Sequence, residues 1–493
     1  MEIKLDSSTA FYKPLSKKVG KARIGVFGVG YVKYWAQFDG LLADMQEKQA
    51  VFMNMVEQFD VEVVDFGMVD DAQSAYDLVP RLLGADLDLI FCDMLTYATS
   101  STFGAIVKNV QVPLILVALQ PDKALNYEQA STYKQLFNDD ICSLPEFTGV
   151  AVRLGRPVPD VIIGTLYDDA EAVEEIGKYC RIANVLHSLK NARIGHIGHP
   201  IEAMLDMHTD STMLTAHFGL HVVQCESHEI IQQYQEVDVI DLEREKEFIL
   251  DFFDTPDPVS DPISDKLKPA DLEVAARVSL ALKAFVATKK LDGLAYYYEG
   301  AAQSTEQLVM SNLIVGNSLL TAAGFPMCGE SDLKTCIAMM VMDRLGIGGS
   351  FAEFHPVDFN ENFVLVGHDG PHNVTIAEGK PVLRSLKKYH GKPGFGAGVE
   401  FKIKEGPITM LSISSTFDGR FKFIVAEGES VAGPIPPTGN TNTRGFFGDD
   451  IRQFLKNWVA EGPTHHFALG IGHHADTILK IGRYLNIETV FVK

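Results

Sequence analysis

The stretch Ala22-Arg-Ile-Gly-Val-Phe27 decides the fold class of the first part of the chain, because it has the character of a fully buried strand. A helical pattern follows it, and further runs of the same kind begin at Val61, Leu87 and Val112, with helical patterns between them. Strands and helices that alternate at this spacing predict parallel pairing through right-handed crossovers. We therefore predict an open α/β domain over residues 1–170.

The run Ala192-Arg-Ile-Gly-His-Ile197 repeats the character of that first strand and indicates a second α/β set. After about Gly346 the helical periodicity gives way to strand-like runs separated by Gly, Asn and Asp, which are typical of an antiparallel sheet or barrel. We expect an α/β fold with two open parallel-sheet domains, residues 1–170 and 171–325. A β-rich, barrel-like antiparallel domain, residues 326–493, is expected to follow them.

The composition excludes several classes of partner. The chain has 493 residues, of which 46% are hydrophobic and 22% charged, which is typical of a globular protein with several domains. Its net charge of -22 repels phosphate backbones and anionic lipid, so we expect no nucleic-acid or membrane partner, and a neutral substrate is favoured. The six cysteines form no CxxC pair, and the first residues lack the apolar segment of a signal peptide. We predict a cytoplasmic protein with reduced thiols.

Four short segments carry the candidate chemistry, and each combines a carboxylate or an imidazole with glycine or with the end of an apolar run. They are Met327-Cys-Gly-Glu-Ser-Asp-Leu-Lys-Thr335, Phe351-Ala-Glu353, Val366-Gly-His368 and Gly472-His-His474. Side chains of these types can hold one divalent cation and leave coordination positions open. The combination suggests metal-assisted chemistry on an oxygen-rich small molecule.

Each candidate also has a structural explanation when it is taken alone. Glu330 stands just before a helix predicted from Ser331 to Arg344, where a carboxylate can serve as a cap. Glu353 and His368 can be ordinary residues at strand ends. Adjacent side chains point in different directions, so at most one histidine of the 473–474 pair can readily face a common centre. Taken together, the four positions favour a site.

The segment Gly28-Val-Gly30 permits a second interpretation, because two glycines after a first strand occur in dinucleotide-binding motifs. The motif requires a third glycine where this chain has Lys33. An ordinary turn is the alternative explanation. An NAD-dependent oxidoreductase is therefore kept as a rival function.

The chain resembles the L-arabinose isomerases, within the wider group of arabinose and fucose isomerases. Gly329-Glu-Ser-Asp-Leu-Lys-Thr335 is similar to the family's Gly-Glu-Gly-Asp-Trp-Lys-Thr, and Ser350-Phe-Ala-Glu353 to its Ser-Phe-Met-Glu. Val364-Leu-Val-Gly-His368 is similar to Val-Leu-Gly-Ser-His, and Gly472-His-His474 falls at Gly-Ala-His-His. The family's N-terminal substrate-contacting segment is not retained at Gly28–Trp35. The resemblance is specific from about residue 270 onward and indicates a divergent member.

The resemblance implies a function as well as a fold. It implies two Rossmann-like domains and a β-rich C-terminal domain, with Mn2+ or another divalent cation held by Glu330, Glu353, His368 and His474. Glu330 and Glu353 would also be the catalytic residues of an aldose–ketose isomerase that works through a cis-enediol intermediate. A small-molecule sugar is the expected substrate. The family assembles as hexamers, so we expect a homo-oligomer. A non-catalytic sugar-binding relative is the remaining alternative.

Overall fold

The computed structural model describes residues 20–256, 267–385, 396–436 and 438–493, together with the backbone of 388–389 and 392–393. Contacts between residues divide this part of the chain into two compact units, 20–188 and 189–493. No helix within the described ranges is long and apolar enough to cross a membrane. All six cysteines are free thiols, five of them buried and Cys142 exposed. The three-domain division of the sequence stays a prediction.

The unit 20–188 is an open, wholly parallel sheet with helices between its strands, as the alternating pattern predicts. The strand order is β2-β1-β3-β4-β5. The strands are β1 (Ala22–Val29), β2 (Val61–Val69), β3 (Leu89–Met94), β4 (Leu114–Gln120) and β5 (Asp160–Thr165). The helices are α1 (Val32–Trp35), α2 (Leu41–Val56), α3 (Ala72–Gly84), α4 (Ser100–Val107), α5 (Thr132–Phe137) and α6 (Leu144–Arg153).

Side-chain packing accounts for the two glycines at the end of β1. A Cβ atom on Gly28 would lie 2.5 Å from Leu95 Cδ1, and one on Gly30 would lie 2.9 Å from the ring of Trp35. Close neighbours within the same unit therefore favour glycine at both positions. The dinucleotide interpretation is not needed to explain them.

The unit 189–493 begins with a second parallel sheet, of order β7-β6-β8-β9. Its strands are β6 (Arg193–Ile197), β7 (His221–Cys225), β8 (Gly293–Tyr296) and β9 (Met327–Cys328). The helix α7 (Ala170–Asn191) precedes β6 and spans the boundary between the units in sequence. The helices that follow are α8 (Ser211–Phe218), α9 (Ser227–Gln235), α10 (Val239–Phe252), α11 (Pro269–Lys289), α12 (Thr305–Met310), α13 (Ile314–Ala322) and α14 (Leu333–Arg344).

The C-terminal part of this unit contains a closed antiparallel barrel. Its elements are β10 (Gly348–Asp358), β11 (Phe363–His368), β12 (Val382–Ser385), β13 (Lys388–Tyr389), β14 (Lys392–Pro393), β15 (Ala397–Glu400), β16 (Gly406–Ser415), β17 (Phe421–Val431), β18 (Thr441–Phe446), α15 (Ile451–Ala460), β19 (Phe467–Ile471), α16 (Ala475–Tyr484) and β20 (Glu488–Val492). Six strands follow one another in the order β16-β19-β10-β11-β18-β17, and β17 pairs with β16 to close the ring. The strand β20 adds to β17 in parallel. The predicted α/β class and barrel-like C-terminal region are confirmed.

The helix α14 connects the two sheets of this unit. It is buried along nearly its whole length, and it contacts strands β8 and β9 of the parallel sheet as well as β10, β16 and β19 of the barrel. At the turn into β10, Gly349 has a φ of 97°, and a Cβ atom there would lie 2.7 Å from the carbonyl oxygen of Met339. Only glycine allows β10 to start this close to α14.

One helix departs from the prediction that strands replace helices after about Gly346. The helix α15 lies between β18 and β19 and buries Ile451, Phe454 and Trp458. These residues recur at i, i+3 and i+7, which is the spacing of one helix face. The spacing of these three apolar residues therefore indicates a helix in the sequence itself, and the prediction did not include it.

Candidate metal centre

A cavity of about 340 Å³ lies within the unit 189–493. The predicted residues Glu330, Glu353 and His368 all line it, and His465 lines it too. The other lining residues are Met204, Tyr296, Tyr298, Met310, Ser311, Ile314, Gly329, Phe351, Asp369 and Pro371. Two carboxylates and two imidazoles from distant parts of the chain thus meet at one apolar-walled cavity.

Glu330 reaches the cavity from the short connection between β9 and α14. Its φ is 59°, and that of Ser331 is 58°, so two successive residues have left-handed backbone. The N–H of Ser331 donates to the carbonyl oxygen of Tyr296 at 2.9 Å, and its hydroxyl donates to the carbonyl oxygen of Ile197 at 3.1 Å. These buried hydrogen bonds to two strands hold the strained turn in place. Asp332 is the N-cap of α14, so Glu330 does not have this structural role.

The antiparallel register of the barrel brings the remaining groups beside one another. On β10, Glu353 pairs with Gly367, the residue before His368 at the end of β11. On the other side of β10, Ala352 pairs with Phe467, the residue after His466. Neighbouring strands lie about 4.8 Å apart, so these three side chains start from adjacent strands at the same level.

The polar atoms converge to distances that a cation can bridge. His368 Nε2 lies 4.0 Å from Glu330 Oε1 and 4.0 Å from Glu353 Oε1. His466 Nε2 lies 3.5 Å from Glu330 Oε2. Among the described residues, two groups could hold a metal ion, Glu330 with His368 and His466, and Glu353 with His465 and His466. Within each group, the potential ligand atoms all lie within 4.8 Å of one another.

Hydrogen bonds fix the orientation of both buried imidazoles. His368 Nδ1–H donates to the carbonyl oxygen of Asp369 at 2.7 Å, and His466 Nδ1–H donates to Asp332 Oδ2 at 3.2 Å. A carbonyl or carboxylate oxygen can only accept, so Nδ1 carries the proton in each ring and the lone pair is on Nε2. Metal-binding histidines commonly have this arrangement. His466 Nε2 is also buried and has no hydrogen-bond partner within the described part of the chain.

The local electrostatics favour neutral imidazoles beside ionised carboxylates. Burial lowers the pKa of His368 well below its usual value, and the neighbouring His466 lowers it further. Burial likewise lowers the pKa of His466, against the opposing effect of Asp332. For Asp332, burial alone would raise the pKa, but the hydrogen bond from His466 and the charge of Lys334 bring it down to about 2. Neutral imidazoles are the form that binds metal. The residues present therefore fit a divalent cation.

His474, the fourth ligand implied by the sequence resemblance, is not brought to the cavity. His466 directly precedes β19, whereas His474 follows the opposite end of that strand. The pairing of Gly470 with Gly348 places that opposite end near the start of β10, away from Glu353. Neither His466 nor His474 is among the described residues that line the cavity, but His466 belongs to both potential ligand groups and His474 to neither. The imidazole that takes the expected place is His466.

His465 and His466 are not among the site residues predicted from the sequence. The chain contains two His-His pairs, 465–466 and 473–474, and they flank the same buried strand β19. The criterion of an imidazole at the end of an apolar run applies equally to both pairs. Only the register of β19 against β10 distinguishes them, and that register requires the folded structure.

Comparisons with known proteins find similarity to sugar isomerases. The family model described as the L-fucose isomerase, C-terminal domain, matches residues 365–493. An L-arabinose isomerase of Aeromonas hydrophila is 22% identical over 414 residues, which are 81% of this chain and 79% of the relative. One from Pectobacterium atrosepticum is 23% identical over 361 residues, 70% of this chain and 69% of the relative.

A sulfoquinovose isomerase of Priestia megaterium is 26% identical over 174 residues, which are 35% of this chain. The chain spans only 38% of the length of this relative. The named relatives are all sugar isomerases. Together with the matched C-terminal domain, these similarities support the resemblance to the superfamily of arabinose and fucose isomerases, with this chain as a divergent member.

Proposed function

We propose that the chain is a metal-dependent aldose–ketose isomerase that acts on a neutral sugar. The observation that carries the proposal is the convergence of Glu330, Glu353 and His368 at one cavity, with His466 Nε2 3.5 Å from Glu330 Oε2 and both Nδ1 atoms already engaged by acceptors. Imidazole and carboxylate ligands together suit Mn2+ and several other divalent cations. The proposed ligands are Glu330, Glu353, His368 and His466.

The reaction moves one proton between two neighbouring carbons of the open-chain sugar. A divalent cation held here supplies a Lewis acid beside the carbonyl and hydroxyl oxygens of the substrate. Glu330 and Glu353 take the proton from one carbon and return it to the other through a cis-enediol. A positioned carboxylate base typically contributes about 10²–10⁴-fold in rate. His465 lines the same cavity and faces the substrate as a hydrogen-bonding group.

The cavity lining supports a neutral substrate. Three carboxylates, those of Glu330, Glu353 and Asp369, line the cavity, and the described lining residues include no lysine or arginine. A sulfonate or phosphate group would lack a cationic partner among these residues and would face like charge. We therefore propose an uncharged sugar rather than the sulfonated substrate named in the sulfoquinovose isomerases.

A substrate panel tests the activity directly. The chain would be stripped of metal with EDTA, supplied with Mn2+, and incubated with pentoses, hexoses, 6-deoxyhexoses and sulfoquinovose, with ketose formation as the readout. We expect ketose from at least one neutral sugar, only after metal is restored. A Glu353→Gln variant should lose about 10²-fold or more of the rate, whereas the exposed Glu405→Gln serves as a matched control without loss. Absence of ketose from every sugar would overturn the proposal.

Reaction in heavy water tests the route. A cis-enediol exchanges its transferred proton with solvent, so deuterium should appear at the product carbon that receives the proton. A hydride shift would give the same ketose without this label. A product free of solvent deuterium would therefore exclude the enediol route while leaving the isomerase activity intact.

A further inference from the structure

The segment 198–210 connects β6 to α8 and forms part of the cavity wall, because Met204 lines the cavity. It lies more than a hundred residues before the nearest proposed ligand in sequence, and none of the sequence motifs included it. It forms hydrogen bonds with His465 and Lys334, and these contacts indicate a role for Asp206.

Asp206 is the residue of this segment that contacts His465. Its Oδ2 atom accepts two hydrogen bonds from His465, one from the backbone N–H at 2.9 Å and one from Nδ1–H at 2.6 Å. The backbone of the segment is held as well, because Lys334 Nζ donates to the carbonyl oxygens of Asp206 at 2.8 Å and His208 at 3.4 Å. Lys334 is fully buried and lies at the start of α14.

These contacts determine which nitrogen of His465 is available to a ligand. Burial would raise the pKa of Asp206, but the N–H groups of His465 lower it overall, so the acceptor is a carboxylate. Because a carboxylate only accepts, Nδ1 of His465 carries a proton, and in the neutral ring Nε2 then has the lone pair. His465 itself lines the cavity, so Nε2 is the nitrogen left for a substrate hydroxyl.

We infer that Asp206 is a positioning residue, which holds His465 so that its Nε2 atom accepts a hydrogen bond from a hydroxyl of the sugar. This inference rests on the proposed function, and it adds a residue from outside the metal centre. Asp206 contacts none of the four proposed metal ligands through its carboxylate. Its hydrogen bonds therefore act on His465, and we expect little change in metal binding.

Two substitutions of Asp206 separate its effect on the orientation of His465 from the effect of its negative charge. Asp206→Ala removes both hydrogen bonds, and we expect kcat to fall about 10- to 100-fold with little change in KM, because the interaction acts on the reacting substrate. Asp206→Asn keeps one oxygen that can accept both bonds, so it should retain most of kcat. The Mn2+ affinity of both variants, measured by titration calorimetry, should equal that of the unsubstituted chain.

A matched control tests whether destabilisation of the segment 198–210 alone lowers kcat. Asp210→Ala makes the same change on the same segment, but Asp210 caps α8 through Thr212 and Met213 and does not contact His465. This control should lose some stability through the lost helix cap and keep its kcat. A double-mutant comparison completes the test: in a His465→Gln background, Asp206→Ala should have no further effect on kcat.

The outcomes distinguish this inference from the proposed function. A normal kcat in Asp206→Ala, or a further loss in the His465→Gln background, would overturn the positioning role while the isomerase stands. If no sugar gives a ketose, 15N spectra of labelled histidines still test whether Asp206 positions His465. His465 should show a protonated Nδ1 in the unsubstituted chain and lose that preference in Asp206→Ala. An Nε2-protonated ring in the unsubstituted chain would overturn the inference.

Discussion

Glu330 and Ser331 show how single residues set the geometry of the centre. Their consecutive left-handed backbone conformations cost about 1–3 kcal/mol each in residues other than glycine. The two hydrogen bonds from Ser331 to β6 and β8 hold this conformation, so the carboxylate of Glu330 is aimed before any ligand binds. Strained backbone of this kind clusters at ligand sites, which is in keeping with the proposed ligand role of Glu330.

Asp332 should control metal affinity without touching the metal. Its Oδ1 accepts from the N–H groups of Lys334 and Thr335, and its Oδ2 accepts from His466 Nδ1–H, so an amide in its place must turn an NH2 group toward one of these donors. We expect Asp332→Asn to weaken Mn2+ binding about 10- to 100-fold, measured by titration calorimetry. Asp358→Asn, at the end of β10 where the carboxylate accepts from the N–H groups of Asn360 and Glu361, is the control. Equal affinity in the two variants would contradict this role for Asp332.

Asp93 should make the stability of the unit 20–188 depend on pH. Burial raises the pKa of Asp93 from 3.8 to about 8, and nearby Lys48 offsets this only in part. Between these values the folded state holds a proton that the unfolded state has lost, so stability falls as the pH rises from about 4 to 8. Asp93→Asn should be more stable than the unsubstituted chain by roughly 1–3 kcal/mol at pH 8, and the gain should shrink toward pH 5.

Thermal unfolding followed from pH 5 to pH 8 measures this difference. Asp65→Asn, at an exposed position of the same sheet, should leave the pH dependence as it is. A gain from Asp93→Asn that is equal at both pH values would show that Asp93 does not titrate between them.

At the scale of elements, the buried runs at Ala22 and Ala192 predicted both parallel sheets, because parallel strands are covered on both faces and read as continuous apolar segments. The motifs also predicted that Glu330 and Glu353 lie together, and both line the same cavity, whereas their role as ligands stays a prediction. The choice of His466 over His474 was not, because both follow the same local rule and only strand register separates them. The role of Asp206 was likewise beyond prediction, since it depends on a contact between residues 259 positions apart.

The helix α15 should support the centre from behind. Trp458 packs against Phe354 and Phe467, with ring centroids 5.9 Å and 5.8 Å apart, and these residues directly adjoin Glu353 and His466 in sequence. Trp458→Ala should cost about 3–5 kcal/mol of unfolding free energy by leaving a cavity, and should also weaken Mn2+ binding. Val459→Ala, on the exposed face of α15, should change stability by less than about 0.5 kcal/mol. Denaturant unfolding compares the two, and similar losses would contradict the packing argument.

At the scale of the whole molecule, the metal centre belongs to one unit only. All proposed ligands lie in the unit 189–493 and come from the turn before α14, from β10 and β11, and from the residue before β19. A bound cation therefore links segments that are far apart in sequence. The unit 20–188 contributes no ligand to either of the two groups identified among the described residues.

Metal removal should therefore destabilise the two units unequally. With Mn2+ at about 100 times its dissociation constant, binding stabilises the folded state by roughly 2.7 kcal/mol. We expect EDTA to increase hydrogen exchange in peptides from residues 189–493 and to leave those from residues 20–188 unchanged. Equal changes in both units would show that the metal acts on the molecule as a whole. Addition of Mg2+ in place of Mn2+ provides a control for nonspecific ionic effects.

The order of the ligands along the chain has a consequence for biosynthesis. Glu330 is translated 136 residues before His466. At typical elongation rates of about 5–20 residues per second, roughly 7–27 s pass between the synthesis of Glu330 and that of His466. The barrel cannot complete its ring before β19 has emerged, so the nascent polypeptide cannot capture its cation early. Loading of the proposed cation would therefore follow the synthesis of nearly all of the sequence.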